Sequence, residues 1–138
     1  MRVNAYLMFD GQCEAAFKFY AQCLGGTIES MFPYGESPAA EHVPSEHRAR
    51  IMHARLAVGD QVLMGSDCVP PEHPYEGSKG FSVSLNVDTP AQAERIFQAL
   101  AEKRTVTMQL EQTFWAARFG MLTDQFGIPW MVNCEQAG

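Results

Sequence analysis

Two stretches of this 138-residue chain open in the same way at an offset of 78, and that repetition limits the fold more than any other feature. In the first, Val3, Ala5, Leu7 and Phe9 alternate with Asn4, Tyr6 and Met8, the period-2 pattern of a half-buried strand, and Asp10-Gly11 ends it. In the second, Phe81, Val83, Leu85 and Val87 alternate with Ser82, Ser84 and Asn86, and Asp88 stands where Asp10 stood. A helical pattern follows each strand. Glu14 to Leu24 carries Ala16, Phe17, Tyr20 and Leu24 at helical spacing and stops at Gly25-Gly26, where a left-handed cap can form. Thr89-Pro90-Ala91-Gln92 is a capping box with proline at the first helical position, ahead of the apolar stripe Ala93, Ile96, Phe97 and Leu100. A further strand comes next in both halves, near Thr27 to Phe32 and at Thr105 to Glu111.

Each half then closes with a hairpin. In the first, Arg50 to Val58 and Gln61 to Asp67 are joined by Gly59-Asp60, a two-residue turn of the primed kind that suits strand twist. Pairing Val58 with Gln61 sets Leu56 against Leu63, Arg55 against Met64 and His53 against Ser66. His53, Arg55, Met64 and Ser66 therefore share one face, and Ala54, Leu56 and Leu63 the other. In the second, Gln112 to Glu135 carries aromatic and β-branched runs around Asp124-Gln125-Phe126-Gly127, where Asp can start a tight turn and Gly can take the positive φ that closes it. The order points to an α+β fold, one domain over residues 1–138 built from two βαβββ modules, 1–68 and 79–138. Residues 33–47, with Pro33, Gly35, Pro38 and Pro44, read as a long loop of the kind that serves as a lid or a dimer contact, or is merely mobile. A second proline-rich connection, Val69 to Ser78, separates the halves.

A composition of 46% hydrophobic and 19% charged residues suits one compact domain with its own core. The net charge of −6 excludes the basic footprint of a nucleic-acid binder, and the short cluster His47-Arg48-Ala49-Arg50 reads as a solvated strand entrance. The N-terminus lacks a charged leader followed by an apolar run, and no run approaches the ~20 apolar residues of a membrane span. A cytoplasmic protein without a membrane partner is expected. Cys13, Cys23, Cys68 and Cys134 form no CxxC pair; Cys13 and Cys23 would lie ~15 Å apart on one helix, too far to bridge. Four reduced, packed thiols are expected.

Further motifs sharpen this frame: Tyr6-Leu7-Met8-Phe9-Asp10-Gly11 with Glu14-Ala15-Ala16 and Phe19-Tyr20, then Met52-His53-Ala54, Leu63-Met64-Gly65-Ser66-Asp67, Thr113-Phe114-Trp115, Arg118-Phe119-Gly120 and Asp124 to Trp130. In this order the chain resembles the vicinal-oxygen-chelate superfamily of glyoxalase I, bleomycin-resistance proteins and extradiol dioxygenases. Within it the resemblance is to the PhnB-like family, some members of which carry a ubiquinone-methyltransferase label. The resemblance implies a curved, cupped mixed sheet with the helices outside (glyoxalase-like), and a homodimer. In the superfamily's enzymes side chains from the first and last strands of the modules hold a divalent ion. Carried onto this sequence, those places fall at Asn4, Met64, Ser82 and Met131. Divalent ions of this class favour imidazole and carboxylate, so an amide, a hydroxyl and two thioethers depart from the enzymes' pattern, and no metal or other cofactor is expected.

The strand faces turned away from the helices would line a concavity. Candidate ligand-binding residues are Tyr6, Met8, His53, Arg55, Met64, Ser82, Ser84, Trp115 and Met131, the methionines serving as an adaptable apolar lining or as core. His53 is the candidate catalytic residue. It is either a general base or hydrogen-bond donor, with Arg55 holding an anionic or carbonyl group, or it is a structural hydrogen-bonding residue. His42, His47 and His73 lie in loops. Asp67 reads as a base or as a cap on the turn into Cys68-Val69-Pro70, the cap being preferred. Phe114, Trp115, Phe119 and Trp130 either stack on a flat ligand or pack in core or interface, with Trp115 nearest the cavity. Family relatives often carry a polar residue before Arg118, where this chain has Ala117. The functional expectation is a small-molecule-binding protein without a catalytic metal; the alternative is a metal-dependent enzyme of the glyoxalase or dioxygenase type. A methyltransferase reading lacks a glycine-rich loop between a strand and a helix, since Leu24-Gly25-Gly26 ends a helix instead.

Overall fold

Leu7 and Phe9 are each 1% exposed, whereas Tyr6 and Met8 are 45% and 39% exposed, so the alternation near the N-terminus becomes a strand with one buried face, β1 (Tyr6–Phe9). The computed structural model describes residues 1–102 and 105–135; positions 103, 104 and 136–138 of the expected second module lie outside these. β1 is shorter than the expected Val3 to Phe9. Its partner β4 (Gln61–Asp67) runs parallel to it only over Tyr6↔Met64 to Phe9↔Asp67, and Ala5 adds one carbonyl that accepts from Met64 N at 3.2 Å. Val3 is 90% exposed and Asn4 stands outside the ladder.

Helix α1 (Cys13–Leu24) buries Cys13, Ala16, Phe17, Tyr20 and Cys23, and ends at Gly25 with φ 72°, where a side chain would be strained. β2 (Thr27–Pro33) and β3 (Ile51–Val58) complete a four-stranded sheet in the order β1-β4-β3-β2. The register of the β3–β4 hairpin is the one the Gly59-Asp60 turn dictates, Val58↔Gln61, Leu56↔Leu63 and Arg55↔Met64. The second half repeats the plan with β5 (Val83–Val87), α2 (Pro90–Leu100), β6 (Thr105–Glu111), β7 (Ala116–Thr123) and β8 (Pro129–Glu135), in the order β5-β8-β7-β6 with β5 parallel to β8. The architecture is α+β, two βαβββ units each with its own mixed sheet, and the chain divides into Met1–Gly77 and Ser78–Gly138.

In each unit the helix packs on the sheet through a phenylalanine seated over a glycine. A Cβ on Gly65 would come within 2.8 Å of Phe17 Cε1, and one on Gly120 within 2.7 Å of Phe97 Cε2. The missing methyl lets an aromatic ring close on the strand, and burying such a ring contributes about 2–3 kcal/mol. Residues 33–47 are not a featureless loop. They wind through three 3-10 turns (Tyr34–Glu36, Ala40–His42, Ser45–His47), because local groups satisfy the backbone: Ser37 Oγ donates to Tyr34 O at 2.6 Å, and Arg48 Nε donates to the carbonyls of Ala40 and Val43, each at 3.2 Å. The basic cluster leads into β3 with Arg48 and Ala49 exposed, but Arg50 is tied down, its Nη1 binding Asp10 Oδ1 at 3.0 Å and Cys68 O at 2.7 Å.

Asp67, 1% exposed, is a clamp, though not on the turn that follows it. Its Oδ1 accepts from Gly11 N (2.8 Å) and Cys13 N (3.0 Å), and its Oδ2 from Ile51 N (2.8 Å), so one carboxylate fastens the start of α1 and the start of β3 to the end of β4. Asp124, also buried, holds the β7–β8 turn: Oδ1 accepts from Phe126 N (2.7 Å) and Ile128 N (3.0 Å), Oδ2 from Trp130 Nε1 (2.8 Å). All four cysteines are buried, and burial, then Asp67, pushes the Cys13 thiol up from its ordinary value.

Candidate functional site

The face of the first sheet that turns away from α1 is assembled by register. Arg55 pairs with Met64 and Met64 with Tyr6, while Ser30 of β2 pairs with Arg55, so these four form one row across the strands. Met8 pairs with Ser66, and Phe32 with His53, in the next row. Tyr6, Met8, His53, Arg55 and Met64 are thus brought onto one face, as the alternation requires. The Tyr6 hydroxyl lies 3.2 Å from His53 Nδ1, the rings 5.9 Å apart and tilted by 31°. Ser66 Oγ donates to Met8 Sδ at 3.5 Å. The Arg55 side chain is 40% exposed and shares its charge with Glu29, the extra residue where the β2 register shifts between Ile28 and Ser30, which takes its Nε at 2.9 Å. Phe32, 53% exposed, belongs to this face although it lies on an edge strand whose bulges hid its phase in the sequence. Tyr34 donates to Asp67 O at 3.1 Å, and burial, then the neighbouring Tyr6, raises its phenol above the ordinary value.

The second unit places Ser84 and Met131 opposite each other, and Met121 and Met108 continue that row across β7 and β6. Neither of the last two was singled out in the sequence; the cross-strand register carries the signal. The next row contains Asn86, Asn133 and Phe119, with Asn133 Nδ2 donating to Asn86 Oδ1 at 3.2 Å. Ser82 precedes β5 and takes no part in its ladder. Trp115 precedes β7, 49% exposed, on a turn tied by Thr113 Oγ1, which accepts from Ala116 N at 3.0 Å. It meets Phe114 edge-on at 4.8 Å and Phe119 at 5.5 Å. Trp130 leaves the aromatic set, being 1% exposed and bonded to Asp124. A hollow of about 410 Å³ between α2 and β6, walled by Phe97, Val106 and Leu110, lies on the helix side of the sheet and touches none of the candidate residues.

Residues 2–132 match the family described as the Glyoxalase/Bleomycin resistance protein/Dioxygenase superfamily. The chain belongs to that superfamily. Its resemblance to the superfamily's PhnB-like members stands with it. Protein YjdN of Escherichia coli (strain K12) is 33% identical over 96% of this chain and 95% of its own length. Protein PA1353 from Pseudomonas aeruginosa is 55% identical, with a TM-score of 0.91 over 99% of both chains. The PhnB protein from Bacillus cereus shares the fold, with a TM-score of 0.77 and 21% identity over 97% of this chain and 99% of its own. Glyoxalase-superfamily membership raises the matter of a divalent ion. Among the described residues no three His, Cys, Asp or Glu side chains group so as to hold one. At the positions equivalent to metal ligands, Asn4 and Ser82 stand outside their strands, and Met64 and Met131 present thioethers. This donor set does not fit a divalent ion of the hard or borderline kind. Membership leaves the reaction unassigned. No described helix is long and apolar enough to cross a membrane.

Proposed function

We propose that this chain is a PhnB-like binding protein that takes a small organic molecule on the open faces of its sheets without using a catalytic metal. The carrying observation is the Tyr6–His53 hydrogen-bonded pair on an exposed face framed by the thioethers of Met8 and Met64 and the ring of Phe32. Sparse polar groups on an apolar surface suit a small-molecule site, and methionine adapts its shape to what it covers. Ser84, Met131 and Trp115 extend the proposal to the second unit; Ser82 keeps a place in it only as a flanking hydroxyl. One glyoxalase-like domain made of the two units, a homodimeric assembly and a cytoplasmic location belong to the same proposal, supported by the superfamily frame. Methyl NMR of labelled methionines during titration with phenylacetone tests the site: Met8 and Met64 should shift and Met52 should not. Metal analysis tests the second reading, in which a stoichiometric divalent ion, needed for turnover, makes the protein an enzyme of the glyoxalase or dioxygenase type. Sedimentation at micromolar concentration tests the dimer.

A further inference from the structure

We propose that Tyr6 and His53 form a neutral proton relay that interconverts the keto and enol forms of an aromatic carbonyl compound, an inference that rests on the reading of the first unit's open face as a ligand site. The two side chains come from β1 and β3, with β4 between them, and the phenol is the side-chain hydrogen-bond partner of His53 Nδ1 at 3.2 Å. No carboxylate among the described residues pairs with either ring. A neutral imidazole carries its proton on one nitrogen, and a phenol oxygen both donates and accepts, so the pair has two arrangements. With the proton on Nδ1, that N–H donates to the Tyr6 oxygen, the Tyr6 O–H is free to donate outward, and Nε2 is a bare acceptor. With the proton on Nε2, that nitrogen donates outward, and the Tyr6 O–H donates to Nδ1. Each arrangement shows a ligand one donor and one acceptor, in opposite positions.

Passing between the two arrangements moves one proton across the ligand. Nε2 takes a proton from the carbon beside the carbonyl, and the electron pair of that C–H bond becomes the enol C=C. The Nδ1 proton passes to the Tyr6 oxygen, and the Tyr6 O–H proton passes to the carbonyl oxygen, whose π pair becomes a lone pair. The ligand keeps its formula, both side chains end neutral, and the reverse passage restores the first tautomer. Positioned acid–base groups of this kind contribute about 10²- to 10⁴-fold. The surroundings choose the ligand class. Met8, Met64 and Phe32 favour an aromatic ring. Glu29, whose carboxylate meets Arg55 Nε at 2.9 Å, sets a negative charge beside the guanidinium of this face, so a neutral aryl ketone is favoured over an aromatic acid.

The test follows deuterium entering the carbon beside the carbonyl of phenylacetone in deuterium oxide, by proton NMR, for the full chain, His53→Ala and Tyr6→Phe. Methionine-methyl shifts measure binding in the same tubes. His42, His47 and His73 remain in all three proteins and supply the background of unpositioned imidazole. Exchange with the unaltered chain should run at least about 10-fold above that of His53→Ala. Tyr6→Phe should fall to the level of His53→Ala when the three proteins are compared at ligand saturation, read in each from the Met64 shift. Equal rates in the unaltered chain and His53→Ala, with Met8 and Met64 shifting, would overturn the relay and leave the binding reading standing. A full rate in Tyr6→Phe would show His53 acting alone and likewise overturn it. Absence of any shift at Met8 and Met64 would remove the site and the relay together.

Discussion

In the first unit the ring that α1 lays on the sheet, Phe17, sits over Gly65 of β4; in the second, Phe97 of α2 sits over Gly120 of β7, one strand along. Superposing the registers makes the difference plain. Tyr6↔Met64 corresponds to Ser84↔Met131, so Gly65 corresponds to Val132 and Gly120 to Ala54. Strand order and pairing survive between the halves, while the place where backbone and ring meet does not. The helix starts differ in the same way. At the position of Asp67, which fastens Gly11, Cys13 and Ile51, the second unit has Cys134, and α2 is capped locally, Thr89 Oγ1 accepting from Gln92 N at 3.1 Å. The row Tyr6–Met64–Arg55–Ser30 on one open face matches Ser84–Met131–Met121–Met108 on the other. One face keeps a phenol, a guanidinium and, beside them, an imidazole. The other is a thioether row. Shared topology with independent side-chain solutions means that each half can carry its own part of a function.

The largest expected effects test the two buried carboxylates. Asp67→Ala removes the acceptor from three backbone N–H groups and should cost about 4 kcal/mol in urea unfolding, since charged acceptors and stranded buried donors each count for 1–3 kcal/mol. Cys134→Ala, its counterpart, should cost about 1–2 kcal/mol, as loss of a small packed group does. A similar cost for both would end the claim that the first unit hangs on this clamp. Within the hairpin turns, Asp124→Ala should cost about 3 kcal/mol, while Asp60→Ala, in the exposed two-residue turn, should stay within about 0.5 kcal/mol. Gly65→Ala and Gly120→Ala should each cost about 2 kcal/mol through overpacking. Phe17→Leu should recover only part of the loss at Gly65, because a Cβ there also meets Leu7 O at 2.8 Å.

What could be read in advance follows from the range of the cause. The β3–β4 register came from two adjacent residues, Gly59 and Asp60, and the start of α2 from four, Thr89 to Gln92. Asp67 was legible as a cap but not as this cap, since its donors Gly11 and Cys13 lie more than fifty residues away and only the closed sheet brings them in. Phe32 and Met108 are hidden because register shifts in β2 and β6 break the period that assigns faces, and Met121 because only its pairing with Met131 sets its face. The ion pair of Arg55 with Glu29 is equally hidden, because nothing in the sequence shows that a bulge turns Glu29 onto it.

A smaller effect separates the halves by pH. Burial holds the thiol of Cys13, at the start of α1, above its ordinary value, whereas α2 contains no cysteine. A group whose folded value is raised contributes fully below its unfolded value of about 8.5 and loses that contribution as pH climbs toward the folded one. Stability should therefore fall above about pH 8.5, at up to about 1.4 kcal/mol per pH unit from this thiol. Cys13→Ala should flatten that slope, which unfolding curves between pH 8 and 10 would read. An unchanged slope would mean that the alkaline loss arises elsewhere.

The smallest effect concerns two surface ion pairs and is the finest probe of the open faces. Arg55–Glu29 ties β3 to the bulge of β2 at 2.9 Å, and Arg118–Glu94 ties β7 to α2 at 3.2 Å; all four side chains are between 32% and 53% exposed. Pairs so exposed are screened, and Arg55→Ala and Arg118→Ala should each change stability by no more than about 0.5 kcal/mol. Their consequences for ligands should differ. Arg118 is turned to the helix, so its loss should leave affinity unchanged. Arg55 lies on the face with Tyr6 and His53, but with its charge already met by Glu29 its loss should alter the affinity for a neutral aryl ketone by less than about 2-fold. Glu29→Gln uncovers that guanidinium and should raise the affinity for phenylacetate, by about 10-fold if the freed charge forms a hydrogen-bonded pair with the ligand. Calorimetry with the two ligands reads this directly. If phenylacetate binds the unaltered chain better than phenylacetone and Arg55→Ala abolishes the preference, then Glu29 yields to the ligand and the first unit's face selects acids.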